Sequence, residues 1–125
     1  MDPQNLSRLS ILYVEDEIDL RDTTSDSLKS FVKEIVVAAD GKEGLELFKN
    51  KEFDLVITDI NMPKMNGNDM MIEIRKINPT IPIIVTTAHN DENEINTMKE
   101  AGMNSYIMKP IDLTELVKEI LVLFP

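Results

Sequence analysis

The 125-residue sequence contains no cysteine and no tryptophan, and only 5% of it is aromatic. Without cysteine there are no disulfides, thiolate metal sites or cysteine nucleophiles. That absence fits a reducing compartment. Basic residues are scarce: 13 Lys and Arg stand against 23 Asp and Glu, a net charge of −10. Nucleic acid and anionic membrane surfaces both need a positive face, so direct binding to either is not expected. No apolar run approaches the ~20 residues of a membrane span, so no membrane insertion is expected. The start, MDPQNLSRLS, lacks the apolar core of a secretion signal. The expected location is therefore cytoplasmic. Gly-rich phosphate loops are absent. The one histidine, His89, has no cysteine or second histidine to form a zinc site.

The most informative stretch is 53–67, FDLVITDINMPKMNG. A short apolar run, Leu55-Val56-Ile57, reaches Thr58 and stops at Asp59 before a turn rich in Asn, Pro and Gly. Such a run reads as a buried strand of a parallel sheet. Asp59 is then at the carboxyl end of a central strand, where open α/β sheets bind ligands. Burying a carboxylate there is costly without a counterion.

Strands are expected at 9–14, 35–39, 55–59, 81–87 and 104–108. Helices are expected from about 18 to 31 and at 43–50, 67–77, 91–101 and from the cap Asp112 onward, with residues 1–7 a polar lead-in. The first helix is weakly amphipathic, with Ile18, Leu28 and Phe31 its apolar positions and Asp16 or Glu17 at its N-terminus. Alternating strands and helices with short connections imply an α/β fold, a parallel sheet with helices on both faces. One domain over 1–125 is expected, with no linker or low-complexity run.

Parallel strands bring their carboxyl ends to one edge. That edge would gather Glu15 and Asp16 after the first strand, Asp59 after the third, Thr87 at the end of the fourth and Lys109 after the fifth. Taken singly, each has an ordinary explanation: a helix-end acid, a strand-end hydroxyl, a surface lysine. Together they suggest a metal and phosphate site. Two acids ~4 Å apart repel by roughly 4 kcal/mol at an effective dielectric of 20, which a divalent cation removes. All-oxygen ligands favour Mg²⁺.

The sequence resembles the receiver domain of bacterial two-component response regulators, close to single-domain members such as the chemotaxis regulators. The residues that carry the resemblance are VEDE at 14–17, DLVITDINMPKMNG at 54–67, Thr87-Ala88, and Tyr106 followed by Lys109-Pro110. It covers nearly the whole chain. It implies a flavodoxin-like five-stranded parallel sheet of order 2-1-3-4-5. Asp59 would accept phosphate from a phosphohistidine on a sensor histidine kinase or phosphotransfer protein. Asp16 and Asp59 would hold Mg²⁺ by carboxylates, Asn61 by its backbone carbonyl and Glu15 through water. Thr87 would hydrogen-bond the phosphoryl group, and Lys109 would pair with Asp59 and then with the phosphate, its bond to Pro110 being cis. Tyr106 would be the switch aromatic, acting with Thr87 on a downstream protein that docks at the helix 4–strand 5–helix 5 face. Asn61 and His89 occupy the positions that tune the phosphate lifetime. Glu15 stands where many relatives have Asp, and Asn66 replaces a frequent Asp.

On this reading the protein is not an enzyme beyond its own phosphorylation and dephosphorylation. Two rivals share parts of the pattern. An aspartate-nucleophile phosphohydrolase needs a second acid two residues after the nucleophile, and here that residue is Asn61. A flavodoxin-like flavin carrier needs a Ser/Thr- and Gly-rich loop after the first strand, which is missing. A receiver belonging to a larger regulator with an output domain stays open.

Overall fold

A computed structural model describes residues 3–125. It opens with a 3-10 helix, Pro3–Arg8, then alternates strands and helices. The strands are β1 (Ser10–Val14), β2 (Glu34–Ala38), β3 (Leu55–Asp59), β4 (Ile83–Thr87) and β5 (Ser105–Met108). The helices are α1 (Ile18–Lys29), α2 (Gly41–Asn50), α3 (Gly67–Ile77), α4 (Glu92–Ala101) and α5 (Leu113–Leu123). All strand pairings are parallel, in the order β2-β1-β3-β4-β5. The expected α/β fold and strand order are both present.

Successive strand residues point to opposite faces. Leu12, Val14, Val56, Ile83 and Val85 pack with α2, α3 and α4 residues such as Phe48, Met70, Ile74 and Met98. Ile11, Tyr13, Leu55, Ile57, Ile84 and Ile107 pack with Leu28 of α1 and with Leu116 and Ile120 of α5. β3 and β4 are buried along their full length, as a strand covered on both faces must be.

Four helices start on an Asx cap. Asp40, Asn66, Asp91 and Asp112 each accept a backbone N–H from the first turn. Each such cap stabilises by about 1 kcal/mol. Asn66 is thus more than a turn residue: its Oδ1 accepts from Asp69 N at 2.9 Å. α1 lacks this device, because its N-cap Glu17 makes no side-chain capping bond.

Two local expectations are corrected. The lead-in is a 3-10 helix from Pro3, with Leu6 only 2% exposed and Asn5 donating to the Phe124 carbonyl at 3.0 Å. Polar spacing concealed one anchoring leucine. Residues 1–2 lie outside the described residues. α1 ends at Lys29, with Ile18 59% and Phe31 46% exposed. Only Leu28, with Thr24 and Ser25, faces the core.

Candidate functional site

The carboxyl ends of β1, β3 and β5 converge. Carboxylate oxygens of Glu15, Asp16 and Asp59 lie within 4.8 Å of one another. Asp59 is the last residue of β3 and only 8% exposed. Its Oδ1 accepts from the N–H of Ile60 at 2.7 Å, which fixes the carboxylate in the sheet edge. Glu15 is fully buried, whereas Asp16 is exposed.

Lys109 enters from the end of β5, next to a cis bond to Pro110. Its Nζ is 3.0 Å from Asp59 Oδ2 and 3.0 Å from Glu15 Oε1. Burial by itself would lower the Lys109 pKa. Hydrogen bonds to Glu15 and Asp59 and their negative charges outweigh it, so the ammonium is held above its ordinary value. Burial pushes the Glu15 carboxyl up, opposed by the Glu17 N–H and by Lys109. Glu15 Oε2 accepts that N–H at 3.1 Å, at the positive end of α1. Arg21 Nη1 donates to the Glu15 carbonyl at 3.0 Å and holds the same turn.

The loop after β3 is clamped from two sides. Gly67 N donates to the Ile60 carbonyl at 2.8 Å, and Gly41 N donates to the Met65 carbonyl at 3.0 Å. Met62 and Met65 pack against the core below. Lys64 bends the loop with φ of 66°.

Of the sequence-derived residues, the structure brings Glu15, Asp16, Asp59 and Lys109 together. Thr87 is buried at the end of β4, but its hydroxyl is closed on its own loop. It donates to the His89 carbonyl and accepts the His89 N–H, each at 3.0 Å. Asn61 and His89 are exposed. Asn61 and Thr87 line a cavity of about 260 Å³ shared with Asn68, Thr97 and Met98. Tyr106 is half-buried on β5, packed against the α3–α4 side of the core. Sequence reasoning missed Arg75. Its guanidinium donates to the Gly102 carbonyl at 2.6 and 3.1 Å and to Asn104 Oδ1 at 3.0 Å, tying α3 to the end of α4. A partner 27 residues away leaves no local signal.

The candidate ligands fit a hard divalent cation: three carboxylates, with no histidine or cysteine among them. Among the described residues, no helix is long and apolar enough to cross a membrane.

Comparison with known proteins agrees with this geometry. The response regulator receiver domain family matches residues 11–121. A probable transcriptional regulator of Cyanophora paradoxa is 38% identical over 111 residues, covering 89% of this chain and 46% of that protein. Several curated relatives share this proportion, the chain spanning about half their length. The chemotaxis protein CheY4 of Vibrio cholerae superposes with a TM-score of 0.88 at 28% identity, covering 92% of this chain and 98% of that one. A response regulator receiver domain from Clostridium thermocellum is 35% identical with a TM-score of 0.82, covering 91% and 92%. With acids, lysine and strand order in these places, the chain belongs to the response regulator receiver domain family of two-component signalling.

Proposed function

We propose that the chain is a single receiver domain over 1–125 that takes a phosphoryl group onto Asp59 and thereby switches a protein-binding surface. The observation that carries this reading is the contact of Lys109 with Asp59 at 3.0 Å inside a cluster of three acids. The donor is the phosphohistidine of a sensor histidine kinase or phosphotransfer protein. An Asp59 carboxylate oxygen attacks phosphorus in line. The P–N bond breaks, the imidazole leaves with its electron pair and takes a proton, and an acyl phosphate remains. Water later attacks phosphorus, the P–O bond to Asp59 breaks, and inorganic phosphate departs. The domain catalyses only these steps on itself.

Asp16 and Asp59 would hold Mg²⁺ by carboxylates, Asn61 by its carbonyl and Glu15 through water. The cation supplies charge neutralisation for the phosphoryl oxygens. Lys109 supplies the second positive charge from the protein. Thr87 leaves His89 to donate its hydroxyl to a phosphoryl oxygen. Tyr106 then turns into the space that Thr87 leaves. This remodels the face formed by α4, β5 and α5 around Ile95, Lys99, Tyr106 and Lys118, where a downstream protein docks. Asn61 and His89 set the lifetime of the phosphate. The acidic charge and the lack of an apolar span suit a cytoplasmic protein that touches neither nucleic acid nor bilayer directly.

The test is labelling by acetyl phosphate or a phosphorylated kinase with Mg²⁺ present. Wild type should carry one acid-stable, base-labile phosphate, and Asp59→Asn none. Stable label on another residue would refute the assignment. Turnover of a generic phosphoester would point to a hydrolase instead.

A further inference from the structure

Both oxygens of Glu15 are already committed. Oε1 accepts from Lys109 Nζ at 3.0 Å, and Oε2 accepts from Glu17 N at 3.1 Å. Glu15 is fully buried, and its second oxygen is tied to the start of α1. It is therefore a fixed seat rather than a free side chain. Lys109 has three N–H donors, of which Glu15 and Asp59 take two.

We infer that Glu15 is a positioning residue for Lys109: it keeps the ammonium at the sheet edge when Asp59 turns to other partners. The inference rests on the phosphoacceptor reading above and deepens it. Asp59 cannot pair fully with Lys109 once its carboxylate is shared with a divalent cation. A lysine is a compact, strongly hydrated charge on a flexible stem. Repelled by a second cation and deprived of Asp59, it would swing into water and lose its orientation. Glu15 prevents this. Its charge holds Lys109 within reach while the third N–H stays available for an incoming phosphoryl oxygen. Any water-mediated support that Glu15 gives Mg²⁺ is secondary to this role.

The inference separates two kinds of effect. Glu15→Gln keeps the length and one acceptor oxygen but removes the charge. Loss of a group that supports a bound metal costs about tenfold or more in affinity. A positioning residue should leave the Mg²⁺ affinity within about threefold and instead release Lys109, slowing phosphorylation by about tenfold.

The direct readout is the ¹H–¹⁵N signal of the Lys109 ammonium, visible only while a partner protects it from solvent exchange. In wild type the signal should survive saturation with Mg²⁺. In Glu15→Gln it should vanish on adding Mg²⁺. A persistent signal in Glu15→Gln, with Mg²⁺ affinity down about tenfold, would make Glu15 a metal-supporting residue and overturn the inference. Should Glu15→Gln not fold, wild type decides alone, because loss of its Lys109 signal at saturating Mg²⁺ would equally overturn it. The ammonium signal and the Mg²⁺ affinity are read without phosphate. Failure of Asp59 to take label would sink the phosphoacceptor reading and leave the ammonium result standing.

Discussion

Gly67 opens α3 against the backbone of Asp59: a Cβ at position 67 would overlap the Asp59 carbonyl oxygen and press on Ile60 Cα at 3.0 Å. The first turn of α3 therefore rests directly on the strand end that presents Asp59. Gly67→Ala must push helix and strand apart, and backbone on both sides gives little. The expected loss is about 2–3 kcal/mol, seen as a lower urea midpoint with an unchanged slope. Ala tolerated at wild-type stability would show that the loop relaxes freely.

Metal should appear as stability. Glu15, Asp16 and Asp59 repel one another across a shared space, and a cation that binds only the folded state removes that cost. Mg²⁺ at ~100 times its dissociation constant should stabilise the domain by about 2.7 kcal/mol. Chelation with EDTA should reverse the rise in Tm. Asp16→Asn should abolish the Mg²⁺ response, since it removes the charge of the exposed member of the three clustered acids. An equal Mg²⁺ response in that variant would remove Asp16 from the site.

Lys109 gives the pH dependence its sign. Its pKa is raised above the ordinary lysine value of 10.5, so the folded state holds this proton more tightly than the unfolded chain. The stabilisation is complete below 10.5 and is lost as pH rises through the higher folded value. Wild type should therefore exceed Lys109→Met in Tm at neutral pH, and the gap should close in strongly alkaline solution. Glu15 has the same sign: burial raises its pKa, so the folded state again holds the proton more tightly, and its contribution grows as pH falls through the folded value. A gap that stays constant through the alkaline range would mean that Lys109 acts by packing rather than charge.

Lys64 sits in the left-handed region at φ of 66°, unfavourable for a long side chain but tolerated by Asn. Its ion pair with Asp40 is 3.8 Å long with the lysine exposed, so removing it costs little. Lys64→Asn should stabilise by about 0.5 kcal/mol, and Lys64→Val should destabilise by about 1 kcal/mol or more. Shifts of the same sign in both variants would contradict this account of the loop.

Thr87 gives a test of the switch. Its hydroxyl is now satisfied by His89, so a phosphoryl oxygen must compete with that loop contact. Thr87→Ala should still take label but leave the Tyr106 ring and the α4 amides unchanged in NMR spectra with and without a phosphate mimic and Mg²⁺. Wild type should show both moving. Shifts in wild type confined to the acceptor loops would reject the mechanism.

The placement of the acids was readable because strand ends announce themselves locally: an apolar run stops and a carboxylate follows, as at Val14-Glu15 and Thr58-Asp59. α5 was also readable, because Asp112 caps it and its apolar spacing is regular; α3 was readable from its apolar spacing alone, its Asn66 cap being missed. The 3-10 start and the end of α1 were not. Leu6 is buried by α5 from the far end of the chain, and Phe31 is left outside by packing that no neighbouring residue encodes.

By itself the sequence determined the α/β alternation, the Asp112 cap, and which side chains reach the carboxyl edge, because these depend on local spacing and on the handedness of parallel crossovers. Only the tertiary structure decided the pairing. Lys109 meets Glu15 across 94 residues, Arg75 meets Gly102 across 27, and Thr87 turns to His89 instead of Asp59. Which partner a buried charge or hydroxyl takes depends on distances of a few tenths of an ångström and on what water has been excluded. Those are properties of the packed chain and not of any segment of it.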